Sequence, residues 1–163
     1  MRELHSEIVI AAPAERVWRI LTDFDAYPHW NPFIRRIGGA AVVGARLDVR
    51  IAPPGGAGMA FRPTVVGAEA NRELRWLGRL GLPTLCDGEH SLTIESLAAG
   101  GVRFVQREVF TGPLVPLLGG TLAKTSEGFE QMNRALKARA EVPAPAALAV
   151  TTSRSEQGQE DAP

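Results

Sequence analysis

The chain has 163 residues, one domain of ordinary size with enough apolar side chain to bury a core. Hydrophobic residues make up 45% and charged residues 22%, a globular balance that excludes fibrous and largely disordered classes. Lys plus Arg and Asp plus Glu stand at 18 each, so zero formal charge leaves no global basic field to hold nucleic acid or anionic lipid by counterion release.

Seventeen glycines and 12 prolines favour many turns and a strand-rich body. Cys86 is the only cysteine, which excludes an intramolecular disulfide framework and a cysteine-based zinc site. A reducing, cytoplasmic setting is the expectation. The apolar run Ile8 to Ala12 stops at Pro13 and is too short for a secretory core or a membrane span, so neither export nor membrane insertion is expected.

In chain order, the first predicted strand is 4–11, with Leu4, Ile8 and Ile10 on one face. Pro13 then opens a helix whose apolar face is Val17, Trp18, Ile20 and Leu21. The segment DFDAYPHWNPF (23–33) is interrupted by Pro28 and Pro32, which suits one short second helix or a compact turn. From 33 to 111 the apolar period becomes two, with glycine and proline between runs. Strands are predicted over 45–51, over a segment placing Met59, Phe61 and Val65 on one side, and over 71–80, 85–97 and 102–110. Five or six such sequential strands describe an antiparallel meander. The period then becomes helical: Leu118, Leu122, Phe129, Met132, Leu136 and Ala140 recur at three- and four-residue intervals, predicting one helix over 113–141 with a kink at Gly119-Gly120. Residues 142–163 contain no aromatic side chain and read as a disordered tail.

The run IAAPAERVWRILTDFDAYPHWNPF, the later DGEH, the QREVFTGPLVPLL segment and the closing GFEQMNRALKAR resemble the polyketide cyclase/dehydrase branch of the START-like, SRPBCC, helix-grip superfamily. The resemblance covers about residues 4–141 and implies one α+β helix-grip domain over 1–141. It further implies a curved antiparallel sheet of about six to seven strands around a long C-terminal helix, with two short helices after the first strand. Around that helix the family builds a deep apolar cavity for lipids, polyketides, hormones or other hydrophobic molecules. Its members include carriers, sensors and cyclases.

Strand parity gives cavity candidates independently. If the apolar face is concave, Met59, Phe61, Leu74, Trp76, His90, Leu92, Ile94, Phe104, Gln106, Glu108 and Phe110 point inward, with Phe129 and Met132 closing the space from the helix. His90, Gln106 and Glu108 are polar in that apolar set. Keeping both apolar faces together allows two pairings of the last two strands, with either His90 or Leu92 opposite Glu108. Either leaves imidazole and carboxylate within reach of a hydrogen bond or one water. Three roles stay open for these polar groups: mutual structural satisfaction, hydrogen bonding to a ligand, and acid–base catalysis by His90 and Glu108.

Trp30 and Asn31 suit either the cavity mouth, where the resemblance places their loop, or capping of the sheet. His5 and His29 have no partner at metal-ligand spacing. No nucleophile elbow and no glycine-rich strand-to-helix loop is present, so neither metal nor organic cofactor is expected. The leading expectation is a carrier or sensor of a hydrophobic small molecule. The alternative is a cyclase or dehydratase using His90 and Glu108, and a protein-interaction module ranks third.

Overall fold

The structure, a computed structural model, describes residues 1–79 and 84–142. Among the described residues, eight strands and three α-helices run in the order β1 (Arg2–Ile10), α1 (Ala14–Thr22), α2 (Tyr27–Trp30), β2 (Ile34–Gly38), β3 (Asp48–Ile51), β4 (Met59–Phe61), β5 (Thr64–Glu69), β6 (Glu73–Arg79), β7 (Asp87–Ser96), β8 (Val102–Thr111) and α3 (Gly119–Glu141). A five-stranded sheet has the order β1-β8-β7-β6-β5, and a three-stranded sheet the order β2-β3-β4. All pairings are antiparallel. The result is an α+β helix-grip fold, with two short helices after the first strand and a long helix closing the curved sheet.

Eight strands stand where six or seven were expected, and proline explains one of the differences. Pro63 cannot donate to a ladder and interrupts the segment around Met59, Phe61 and Val65, leaving β4 and β5 in different sheets. The stretch predicted as a strand over 45–51 serves both sheets. Its first half bonds toward β5, with Leu47 N donating to Pro63 O at 2.9 Å and Val65 N to Ala45 O at 2.9 Å. Its second half, as β3, pairs with β2 and β4. β2 was not predicted, because a bulge between Ile34 and Arg36 breaks the alternation and leaves Ile34 and Ile37 as its buried residues.

α1 buries Val17 and Leu21, with Trp18 and Ile20 half-buried against the same core. α3 begins at Gly119 rather than at 113, because Val115–Leu118 winds as a 3₁₀ turn. Gly119 and Gly120 therefore start the helix and kink nothing. Leu122, Phe129, Met132, Leu136 and Ala140 form its buried stripe, together with Thr125, Gly128 and Asn133. Gly128 lets the helix approach the start of β2: a Cβ there would lie 2.2 Å from Phe33 Cδ2. The tail predicted over 142–163 lies outside the described residues apart from Val142, as does Leu80 at the end of the strand predicted over 71–80.

β7 and β8 form the longest ladder, joined through the turn at Leu97–Gly101, where Leu97 N donates to Gly101 O at 3.1 Å. Gly101 has φ +77°, and a Cβ there would meet Ile10 O at 2.5 Å, so only glycine fits. This turn selects the first of the two possible registers: His90 faces Glu108 and Leu92 faces Gln106.

Candidate functional site

Between the two sheets and the N-terminal half of α3 lies a cavity of about 240 Å³. β2, β3 and β4 contribute Ile34, Val49, Ile51, Met59 and Phe61, and the five-stranded sheet contributes Trp76, Gly78, Gly88, His90, Glu108 and Phe110. Leu118, Thr121, Leu122 and Thr125 close it from the helical side, and Phe33, Arg79 and Cys86 complete the wall. The room comes partly from two glycines. Gly78 and Gly88 are direct partners across β6 and β7, so two adjacent positions of the concave face carry no side chain. A Cβ on Gly88 would stand 3.0 Å from Glu108 Oε1 and 3.2 Å from Phe110.

Met59, Phe61, Trp76, His90, Glu108 and Phe110, named from parity, line this cavity. Phe104, Gln106, Phe129 and Met132, named with them, are fully buried in the packed core and do not line it. Parity identifies the concave face but not which part of it is filled: toward the middle of α3 the helix seats directly on the sheet. Trp30 and Asn31 also lie away from the cavity. Asn31 is fully buried, and its Oδ1 accepts from Phe33 N at 3.0 Å and Ile34 N at 2.8 Å, fixing the chain's entry into β2. Trp30 packs edge-on against Tyr27 at 5.0 Å. Phe33, Ile34, Val49, Ile51, Gly78, Arg79, Cys86, Leu118, Thr121, Leu122 and Thr125 were missed as lining residues. Val49 and Ile51 were accessible from their alternation, whereas Ile34 sits beside a bulge and Thr125 looks polar on the helix.

His90 and Glu108 are direct cross-strand partners, within the reach expected of them, but no direct hydrogen bond joins their side chains. His90 Nε2 lies 3.2 Å from Gln106 Oε1. Gln106 Nε2 donates to Asn133 Oδ1 at 2.6 Å and to Phe129 O at 3.3 Å, and Asn133 Nδ2 donates to Ser6 Oγ at 3.0 Å. A backbone carbonyl only accepts, so the Phe129 contact fixes the amide end of Gln106. Its oxygen must then face His90, which places the imidazole proton on Nε2 and leaves Nδ1 as a bare acceptor. The ring is held between Phe129, stacked at 4.8 Å, and Trp76, edge-on at 4.9 Å. Burial pushes the imidazole down to about 4, and the Gln106 hydrogen bond acts in the opposite direction.

Glu108 faces the cavity, and no hydrogen bond from the described residues reaches its carboxyl group. Desolvation by the surrounding wall pushes its carboxyl up to about 8, toward the protonated form that has an O–H to donate. Cys86 is buried in the same wall. Its thiol is held above the usual range by burial first and then by the negative charges of Asp87 and Glu108. Arg79 stands at the wall half-exposed, 3.8 Å from Asp87. Among the described residues no group of three or more His, Cys, Asp or Glu side chains is arranged to hold a metal ion, and no helix is long and apolar enough to cross a membrane.

A cavity lies between grip sheet and long helix, with one half-buried acid, Glu108, in an apolar wall. The family model described as polyketide cyclase / dehydrase and lipid transport matches residues 1–141. The chain belongs to this family. Comparison with curated proteins finds no match.

Among solved structures of the same fold, the di-domain ARO/CYC StfQ from the steffimycin biosynthetic pathway superposes with a TM-score of 0.67 at 17% identity, covering 85% of this chain and 50% of that one. BexL, the di-domain ARO/CYC of the BE-7585A pathway, gives 0.70 at 11% identity over 88% of this chain and 51% of its own. A START superfamily protein from Mycobacterium smegmatis gives 0.61 at 23% identity over 85% and 97%. The chain thus spans about half the length of the di-domain proteins and nearly the whole of the mycobacterial one.

Proposed function

We propose that the protein binds a small hydrophobic molecule in the cavity and acts as its carrier or sensor. The observation that carries this reading is the apolar cavity of about 240 Å³ with the Glu108 carboxyl in its wall. This volume lies just below the usual range of roughly 300–1,000 Å³ for small-molecule sites, which suits a compact ligand of one or two rings or a short chain. Glu108 would donate to a ligand oxygen, and His90 Nδ1 would accept from a hydroxyl. The preferred ligand is therefore apolar with a carbonyl or hydroxyl group. Such a ligand stabilises the native state by mass action. Screening a hydrophobic library for a raised melting temperature, together with native mass spectrometry of co-purifying material, tests the reading. Absence of both a shift and a bound species would refute it.

A second reading is a cyclase or dehydratase, favoured by the raised Glu108 carboxyl and by likeness to ARO/CYC proteins. In such a step the Glu108 O–H would protonate a carbonyl oxygen under attack, while His90 Nδ1 took the proton from the attacking carbon. Glu108 is well placed in pKa for an acid near pH 7. His90, pushed down to about 4, is a weak base there, so binding ranks ahead of catalysis.

A further inference from the structure

The outer faces of the two sheets treat arginine differently. On the five-stranded sheet, Arg75 lies 3.6 Å from Glu89. Arg103 donates to Glu95 at 2.8 Å, and Arg107 donates to Glu3 at 2.8 Å. On the three-stranded sheet, Arg36 of β2 and Arg50 of β3 are direct cross-strand partners. The bulge beside Arg36 leaves Arg35 exposed as well, and Arg46 and Arg62 flank β3 and β4 on the surface. None of these five lies within ion-pair distance of a carboxylate among the described residues. Asp48 is the one acid on the three strands, and it forms no ion pair.

Like charges placed directly opposite across a sheet are destabilising, so this arrangement is unfavourable until an outside anion meets it. A second feature lies in the connection that joins the two arginine-bearing strands. Val42 and Val43, 62% and 61% exposed, stand at the tip of the β2–β3 connection, four and three residues before Arg46. Guanidinium groups beside an exposed apolar tip fit a surface that is anionic outside and apolar just beneath.

We propose that this face docks on an anionic lipid surface, the arginines meeting lipid phosphates and the two valines entering the headgroup layer. Zero net charge excludes a global field but not this local one. β2, β3 and β4 also wall the cavity from within, so docking would set the ligand-holding sheet against the bilayer.

Flotation of the full chain with vesicles tests the proposal, comparing phosphatidylcholine alone with an equal mixture of phosphatidylcholine and phosphatidylglycerol. The expected result is co-flotation with the anionic vesicles only, lost as salt is raised. Arg36→Glu with Arg50→Glu should weaken it about tenfold or more, and Val42→Ser with Val43→Ser should weaken it at low salt. Both variants should keep the wild-type melting temperature, since all four residues are exposed. Absent binding, equal binding to neutral vesicles, or indifference to charge reversal would overturn the proposal. Retention on a polyglutamate matrix without vesicle binding would overturn it in favour of an acidic protein partner.

Discussion

His90 and Glu108 face each other across β7 and β8, yet share no hydrogen bond. His90 turns toward Gln106 and the helix, while Glu108 stands beside the notch left by Gly88. Two polar residues in one register thus divide into a structural network and an unpartnered acid.

The network predicts a stability loss. Gln106→Leu leaves the His90 Nε2–H, Asn133 Oδ1 and one Phe129 carbonyl acceptor short of a partner in the core. The Phe129 carbonyl lies within the helix and loses only a second donor, so the loss is set by His90 and Asn133 at about 1–3 kcal/mol each, about 2–6 kcal/mol in denaturant unfolding. Adding Asn133→Leu should cost less than the two single losses combined, because it removes one of the stranded groups.

Glu108 and His90 give stability opposite pH dependences. Between about 4.5 and about 8 the native chain keeps a proton on Glu108 that the unfolded chain has released, so stability falls as pH rises. Between about 4 and 6.5 the unfolded chain holds a proton that native His90 lacks, so stability falls as pH falls. Above 6.5 only the Glu108 slope remains. Melting temperatures of Glu108→Gln should therefore be flatter than those of the wild type from pH 6.5 to 8, and an unchanged slope would contradict the raised carboxyl.

Helix placement sets the cavity wall through Gly128. Phe33 both lines the cavity and packs edge-on against Phe129 at 5.6 Å, and it occupies the space a Cβ at 128 would need. Gly128→Ala should destabilise by about 1–3 kcal/mol despite alanine's better helix propensity, because the clash is with a buried ring. Phe33→Leu in the same chain should recover part of the loss, measured by thermal unfolding.

The sheet and the long helix were legible because their apolar periods, two and 3.6, are carried by strongly alternating runs such as HSLTI and FEQMNRAL. β2 was not, since its bulge spoils the alternation, and the division between β4 and β5 rests on one proline. Matching parities put His90 and Glu108 on one face but left two registers, and the turn at Leu97–Gly101 made them direct partners; their separation left no mark in the parity. That separation needs Asn133 from a helix turn and the carbonyl of Phe129, and neither partner leaves a periodic mark. The alternating strands revealed the wall at Met59, Phe61, Trp76 and Phe110. How much of the face the helix fills depends on packing depth, which placed Phe104, Phe129 and Met132 in the core instead. The arginine face was hidden by a net charge of zero, which sums over surfaces that the fold keeps apart.

A cavity that receives an apolar ligand should lose it when a side chain grows in from Gly88. A side chain there points at Glu108 and Phe110, so Gly88→Leu should fill the site while leaving the exposed surfaces unchanged. Fluorescence titration with a neutral naphthol measures occupancy. Wild-type protein should bind it saturably, and Gly88→Leu should lose about tenfold or more in affinity with an unaltered circular dichroism spectrum. Equal affinity in the two proteins, or no binding by the wild type, would contradict ligand binding in this cavity.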